Sequence, residues 1–481
     1  MGFFSKLRRS EQDGLKTLPG PGGIPVLGAS PQLGKYANVW DGFSALNHKY
    51  GDLVGVQIGS RYCLVVRSAE YIREILVTKA NQFSNRPDFA RFHAIFRWNR
   101  DLSVALCDWS SKQKTRRDIL YPPLHPKGGS CMQMKLCSAV EQQFGLLLDK
   151  LKDSNGVPGS PRDSLLRATG NIFYEAICST TFDWSDPEFG KVADLYNEVF
   201  FELFQGYAID FMPWLKPLYA SRLQGLFQLA ATVARFTAVM IEEHKRTYES
   251  YEDSPRDLLD ILLLHLRNNK KDTSKDAIDH IDVDVIIDDL VGGFPVVTNM
   301  MMWGLTMIAN EPDVQEKLFE EYQSVVGNGV PDMANRTELI YSEAVMYEVL
   351  RIVCSPIIPH VANEDTEIQG YRVPKDTMVM FNTCDLNFNP NHWDEPENFK
   401  PERFIQDGKI LKPDFFLPFG TGKRSCMGDG FVRHIVYPGF SAIFGNFRVS
   451  LAPGTDPVDF LQARGKVLMD KEPQLVFESR N

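Results

Sequence analysis

Runs of strand-like pattern occur in two places along the chain, while most of its remaining length carries apolar positions at helical spacing. Asp52–Ile58 and Tyr62–Val66 flank Gly59-Ser60-Arg61 and predict a β-hairpin with a short glycine turn. Glu367–Val373 and Thr377–Phe381 predict a second strand pair. Among the helical stretches, Val314, Leu318, Tyr322 and Val325 form one buried stripe that Gly327 stops. The apolar-periodic run from Tyr341 continues through Glu348 and Arg351, placing these two on one face at i, i+3. Phe431–Val436 predicts another helix. Asn268–Asp284, rich in Asp and Lys, reads as a solvated interhelical loop, and the aromatic run 200–215 as either a packed core element or an apolar roof over a pocket. Strands early and helices after predict a helix-dominated α+β fold, with small sheets near the N-terminus and after the helix bearing Glu348 and Arg351.

Composition bounds the picture further. At 481 residues the chain exceeds the usual domain, roughly 100–200 residues, yet no Ser- or Gly-rich linker divides it. A hydrophobic fraction of 43% suffices for one large core. Three segments result: a basic N-terminal stretch over residues 1–17, a proline-rich hinge over 18–28, and a single domain over 29–481. The stretch Met1–Arg9 mixes basic and aromatic residues, enough at most for surface binding to a membrane. No secretory signal is evident, nor a run of about 18 apolar residues that would span a bilayer. Eight cysteines without a C-x-x-C pair argue for a reducing, cytosol-facing compartment. A net charge of −10 disfavours nucleic acid as a partner, although Lys112, Lys114, Arg116 and Arg117 make a local basic patch.

The strongest chemical signal is the run Phe419-Gly420-Thr421-Gly422-Lys423-Arg424-Ser425-Cys426-Met427-Gly428. A cysteine that ligates a haem iron must be a thiolate, open to the metal on one side and fed backbone N–H groups on the other, and glycines permit that approach. The following helix puts Cys426 near a helix N-terminus, which favours its anionic form. Arg424 is placed to meet an anionic propionate. The bland alternative is an inert cysteine in a glycine-rich loop.

The pattern F-G-x-G-x-R-x-C-x-G resembles the proximal loop of the cytochrome P-450 superfamily, the haem-thiolate enzymes. Two further matches stand upstream: Phe399–Phe404 is similar to the segment that supplies a second arginine to the glutamate, and Leu18–Gly28 is similar to the proline-rich entry of microsomal members. The resemblance implies the family fold, with residues 29–481 as one haem-thiolate oxidoreductase domain. It implies haem b held by Cys426 as the axial iron ligand, with Phe419, Gly420, Gly422, Arg424, Gly428, Arg117 and Gln113 around the cofactor. Glu348, Arg351 and Arg403 become a buried structural triad. Electrons come from NADPH through cytochrome P-450 reductase, or from an adrenodoxin-type ferredoxin, docked on the basic face. The expected location is the cytosolic face of the endoplasmic reticulum membrane.

The chain also departs from that family. The helix over the haem usually carries A-G-x-D-T, whose acid and alcohol deliver protons for dioxygen activation; here the five positions are Gly292-Gly293-Phe294-Pro295-Val296. Gly293, Phe294, Pro295 and Val296 thus form an atypical oxygen-activation segment. Pro295 removes a backbone N–H and frees the Val291 carbonyl, which kinks the helix. Thr298 stands roughly 200° around the helix from Val296 and is a poor substitute. In the helix that normally pairs Trp and Arg on a propionate, Gln113 takes the Trp place beside Arg117, and Trp109 stands one turn earlier.

These features, with Ala105–Ser110, Gln205–Leu215 and Arg424–Gly428, resemble the arthropod spook/spookier group. That likeness implies an apolar sterol substrate, 7-dehydrocholesterol, at an early step of ecdysteroid hormone synthesis. Pocket candidates are Phe294, Ile357, Ile358, Val467, Leu468 and His360, the last as the polar group that orients a sterol hydroxyl or ketone. Two other readings stay open: a reductase-independent peroxide isomerase or lyase like the allene-oxide and prostacyclin synthases, and a haem-binding sensor or carrier without turnover.

Overall fold

The computed structural model describes residues 14–248, 255–269, 276–469 and 471–480, so Met1–Arg9 lies outside the described residues. Strands β1 (Leu53–Ile58) and β2 (Arg61–Val66) form the expected hairpin, with Ile58 opposite Arg61 and Gly59 turning at φ +56°. The second expected pair is built differently. Glu367–Val373 is itself a hairpin: after β3 (His360–Val361), β4 (Thr366–Ile368) folds back on β5 (Tyr371–Val373) through Gln369 and Gly370, both at positive φ. β6 (Met378–Phe381) instead joins the first sheet, parallel to β2 and antiparallel to β3, in the order β1-β2-β6-β3. Its four residues are all buried. An apolar strand of that kind belongs in a sheet interior rather than in an exposed hairpin.

Helices supply the rest of the frame: α1 (Val39–Tyr50), α2 (Ser111–Leu124), α3 (Cys131–Asp153), α4 (Arg162–Cys178), α5 (Pro187–Phe204), α6 (Ala220–Tyr248), α7 (Leu258–Asn268), α8 (His280–Val291), α9 (Phe294–Ile308), α10 (Pro312–Val325), α11 (Ile340–Val353) and α12 (Asp429–Asn446). α10 stops as predicted: Gly327 adopts φ +75° and its N–H donates to the Tyr322 carbonyl at 2.9 Å. The α+β, helix-rich architecture agrees with the sequence reading.

The loop expected over 268–284 is shorter. α8 starts at His280 behind a capping box in which Asp279 and Asp282 exchange hydrogen bonds. Asp282 is fully buried because Arg116 and Lys112 from α2 neutralise it. The same pairing breaks up the basic patch. Arg116 is buried and Lys112 lies 2.7 Å from Asp282, Arg117 turns inward, and Lys114 alone of the four is exposed, paired with Asp118.

α8 and α9 run almost continuously through the centre. Two stretches, 213–247 and 280–308, are by length and composition alone apolar enough to cross a membrane, a test that the core helix of a globular protein also passes. The second has 67% of its apolar window inside the protein and serves as the core helix. Around it, α3, α4, α11 and α12 contribute Phe144, Ile172, Val345 and Phe440 to one large apolar cluster.

Candidate functional site

The cysteine loop is shaped by two glycines. Gly420 and Gly422 sit at φ +67° and +73°, and a Cβ on Gly422 would lie 2.0 Å from the Leu76 carbonyl oxygen. The loop closes on itself through the Cys426 N–H, which donates to the Phe419 carbonyl at 2.9 Å. Cys426 stands just ahead of α12, and the Gly428 N–H donates to its Sγ at 3.3 Å. Burial and the Asp429 charge push the free thiol up, while the Gly428 and Asp429 N–H groups and Arg117 pull it down. The residue is nevertheless exposed, so its sulfur has protein on most sides and one open side. Gly422→Ala is expected to displace this loop and lower haem retention and the melting temperature together. Unchanged haem content in that variant would show that the contact with Leu76 is dispensable.

Beside the loop lies a cradle of arginines. Arg424 is buried: Nε donates to the Ser84 carbonyl at 3.0 Å and Nη2 to the Cys107 carbonyl at 2.5 Å. Nη1 is buried without a hydrogen-bond partner, an arrangement that calls for an acceptor. Trp109, which precedes α2 rather than belonging to it, lies against Arg424 and Lys423 with cations 5.3 and 4.6 Å from its ring centre. Arg117 donates to the Ser425 carbonyl at 2.8 Å, joining α2 to the loop. Gln113 is fully buried and donates to the Val104 carbonyl at 2.5 Å, leaving its Oε1 unpaired. It thereby anchors the preceding loop with one of the two N–H groups of its amide.

Glu348, Arg351 and Arg403 meet. The carboxylate and Arg351 form a two-pronged pair at 2.8 and 2.8 Å, and Arg403 Nε approaches Glu348 at 3.2 Å. Arg351 Nη1 also donates to the carbonyls of Asn387 and Pro396, at 2.7 and 2.8 Å. The Lys400 N–H completes the carboxylate's shell at 2.9 Å. Glu348 and Arg351 are wholly buried, and these bonds bind α11 to the segment that leads into the cysteine loop.

The central helix breaks at Gly292-Gly293, between α8 and α9, where Pro295 removes the donor that Val291 would have used. Around the break, Gly292, Gly293 and Val296 are half-buried, whereas Val291, Phe294, Pro295 and Val297 are buried, and the three share one face. Thr298 points elsewhere: it donates to the Phe294 carbonyl at 3.1 Å and meets Thr169 of α4 at 2.7 Å. A cavity opens on the Gly292 side, walled by residues such as Phe96, Val199, Phe200, Leu203 and Ala230.

Among the described residues, the sequence-derived pocket set does not line that cavity. Phe294 is fully buried and packs its ring on Phe173 and Tyr196, at 6.5 and 5.4 Å, so it fills the core. The Val467 carbonyl accepts from Trp303 Nε1 at 3.2 Å, Leu468 is half-buried next to it, and Ile357 packs on the cluster beneath the first sheet. The Ile358 carbonyl accepts from Arg86 at 2.8 Å. His360 is corrected as well: its Nδ1–H donates to the Phe83 carbonyl at 2.5 Å and its charged neighbours are Arg86 and Arg424. Burial first, then those cations, holds the ring's pKa well below the ordinary value, so it belongs to the arginine cradle rather than to an apolar pocket.

The family pattern described as "Cytochrome P450" matches residues 18–477. The chain belongs to the cytochrome P450 family. It is 34% identical to Cytochrome P450 307a1 of Drosophila melanogaster over 86% of this chain and 80% of that protein, in line with the arthropod likeness read from the sequence. It is 29% identical to the Farnesoate epoxidase of Bombyx mori over 99% of this chain and 97% of that protein. Cytochrome P450 2U1 of Mus musculus is 28% identical over 85% and 77%. Family membership makes this P450 an oxidoreductase of the monooxygenase class that uses haem b and receives electrons from a redox partner.

The residues of this P450 fit that cofactor. The open-sided Cys426 sulfur suits an axial thiolate ligand, and the unpartnered Arg424 Nη1 suits an anionic propionate. Arg86 escaped sequence reasoning. It is buried beside Arg424, donating from Nε to the Ala105 carbonyl at 3.1 Å and holding the loop before His360. No local pattern in the chain marks it, because its partners lie on segments remote in sequence.

Proposed function

We propose that this P450 oxidises an apolar sterol at an early step of ecdysteroid hormone synthesis from 7-dehydrocholesterol, with Cys426 as the thiolate ligand of haem b. The observation that carries the haem assignment is the Cys426 sulfur, open on one side and fed by the Gly428 N–H on the other. The apolar walls of the cavity beside Gly292 and the likeness to the Drosophila P450 support a greasy substrate. Haem b, held by Cys426, would supply oxidative chemistry that the thiolate ligand tunes. The protein's part is positional. Gly428 and Arg117 favour the thiolate, Arg424 and Arg117 hold the cofactor's acidic edge, and the triad fixes the segment leading to the loop. Gly293 and Val296 present an apolar, partly open face where the acid and alcohol usually stand. Protons then reach the site through water at the helix break or through a hydroxyl of the substrate.

NADPH-cytochrome P-450 reductase, or an adrenodoxin-type ferredoxin, is the proposed electron source, and the cytosolic face of the endoplasmic reticulum the proposed location. The exposed apolar residues Ile24, Val26, Trp214 and Leu218 support contact with a membrane surface. Pro295 and Val296 in place of the acid and alcohol support a second reading, a peroxide isomerase or lyase that needs no reductase. Sterol turnover with and without reductase separates the two. Product formed only with NADPH and reductase supports the monooxygenase, and product formed from a peroxide substrate alone replaces it by the isomerase. In the first case Pro295→Asp combined with Val296→Thr changes the ratio of product to NADPH consumed, because general-acid help is worth about 10²–10⁴-fold where it operates. An unchanged ratio points to the peroxide route.

A further inference from the structure

The first turn of α12 carries a residue that acts on the cysteine sulfur in two opposite ways. The Asp429 N–H favours a negative charge on Cys426, while the Asp429 carboxylate disfavours it. That carboxylate is flanked by basic groups on both sides. Arg433, one turn along α12, donates from Nη2 to Oδ2 at 2.6 Å and from Nε to the Asp429 carbonyl at 3.3 Å. His125 Nε2 meets Oδ1.

His125 comes from a remote part of the chain, as the residue that ends α2. Its ring is fixed from three directions. Nδ1 lies 3.1 Å from the Tyr121 carbonyl oxygen, the Tyr121 ring stacks on it at 4.0 Å, and Asp429 takes the far nitrogen. Both ring nitrogens therefore face oxygens that only accept, and the ring that donates to both is the imidazolium. The backbones close up at the same point. A Cβ on Gly430 would lie 2.5 Å from the Leu124 carbonyl oxygen, so the start of α12 rests directly on the end of α2. With Arg117 bonded to the Ser425 carbonyl, α2 grips the cysteine segment at two places, one before the sulfur and one after it.

We propose that His125 is a positioning residue for the cysteine ligand: acting through Asp429, it offsets the negative charge next to Cys426, keeps the Asp429 N–H on the sulfur, and so raises the reduction potential of the haem iron. The proposal rests on Cys426 as the iron ligand and is independent of the sterol reading. Charge sets the direction. An uncompensated carboxylate near the iron stabilises the ferric state, which carries one more positive charge than the ferrous state, and so lowers the potential. The His125 and Asp429 side chains are 19% and 23% exposed, so solvent weakens this field without abolishing it. A clamp that merely held the two helices together would behave differently, because breaking it from either end would loosen the same loop and shift the potential in the same direction.

The test measures the equilibrium reduction potential of the purified holoenzyme, with the carbon monoxide band of the reduced protein recorded for each variant. His125→Gln can still donate a hydrogen bond to the carboxylate but carries no charge, and it is expected to lower the potential. Asp429→Asn keeps the backbone N–H and removes the negative charge, and it is expected to raise the potential. His125→Arg, which returns a cation to the acid, is expected to bring the potential back towards wild type. Shifts of opposite sign in His125→Gln and Asp429→Asn, with the thiolate band intact, support the proposal. Shifts of the same sign assign the pair a purely structural role and overturn it, as does an unchanged potential in either variant. A wild-type protein without the thiolate band removes the Cys426 assignment and this proposal together.

Discussion

Cys426→Ala is expected to abolish the red-shifted carbon monoxide band of the reduced protein, together with all NADPH-dependent turnover. The loop should survive the change, because its closure is a backbone bond from the residue 426 N–H to the Phe419 carbonyl and its turns are set by Gly420 and Gly422. Only the sulfur goes, and with it the group that the Gly428 N–H serves. Circular dichroism and the thermal unfolding curve of the apoprotein should therefore stay near wild type while the spectrum and activity are lost. A thiolate-type band persisting in Cys426→Ala would place the ligand elsewhere; the exposed Cys131 and half-buried Cys137 would then be the thiols to examine.

The second large effect is expected at the triad. Arg351→Ala leaves the Glu348 carboxylate buried with Arg403 and one backbone N–H in place of its two-pronged partner, and strands the carbonyls of Asn387 and Pro396. Breaking a buried pair by removing one member costs about 3–5 kcal/mol. That is a large share of the 5–15 kcal/mol or so that holds a domain folded. Arg351→Lys should recover little, since an ammonium cannot span the carboxylate and both carbonyls as the planar fork does. The double variant Glu348→Gln with Arg351→Met, which removes both charges, should lose less than Arg351→Ala alone. Urea unfolding of the three variants measures this. A loss below about 1 kcal/mol in Arg351→Ala would mean that the segment is held by its packing, with Trp393 and Phe404 as the relevant contacts.

Where a pattern is local, the chain declared it. The hairpin at Gly59, the stop at Gly327, the shared face of Glu348 and Arg351 and the glycine-shaped loop around Cys426 all depend on residues near one another in sequence or on conformations that glycine permits. What escaped depends on tertiary contacts. Asp282 looks like one more solvated acid in an Asp-rich stretch until Arg116 arrives from a different helix. β6 looks like half of a hairpin until β2 takes it as a parallel neighbour. Phe294 and His360 sit beside the family's pocket positions in sequence, but one turns into the core and the other into the arginine cradle, because side-chain direction follows from where the helix breaks and which strand pairs. Arg86 carries no motif at all. Its significance comes from a buried charge, which exists only once the chain is folded.

The departure at Pro295 and Val296 was legible in composition, and the structure adds what surrounds it. With Thr298 bonded to Thr169 on the far side, no hydroxyl of that helix replaces the missing alcohol on the Gly293 and Val296 face. The cavity beside the break is lined mostly by apolar residues such as Phe96, Val199 and Phe200.

The most direct measurement is the absorption spectrum of the wild-type protein, reconstituted with hemin, reduced with dithionite and exposed to carbon monoxide. A Soret band at the long wavelength of thiolate ligation, lost on Cys426→Ala, is the expected result. A band of the imidazole-ligated type, or failure to retain haem at all, would contradict the sulfur-to-iron bond on which the proposed function rests.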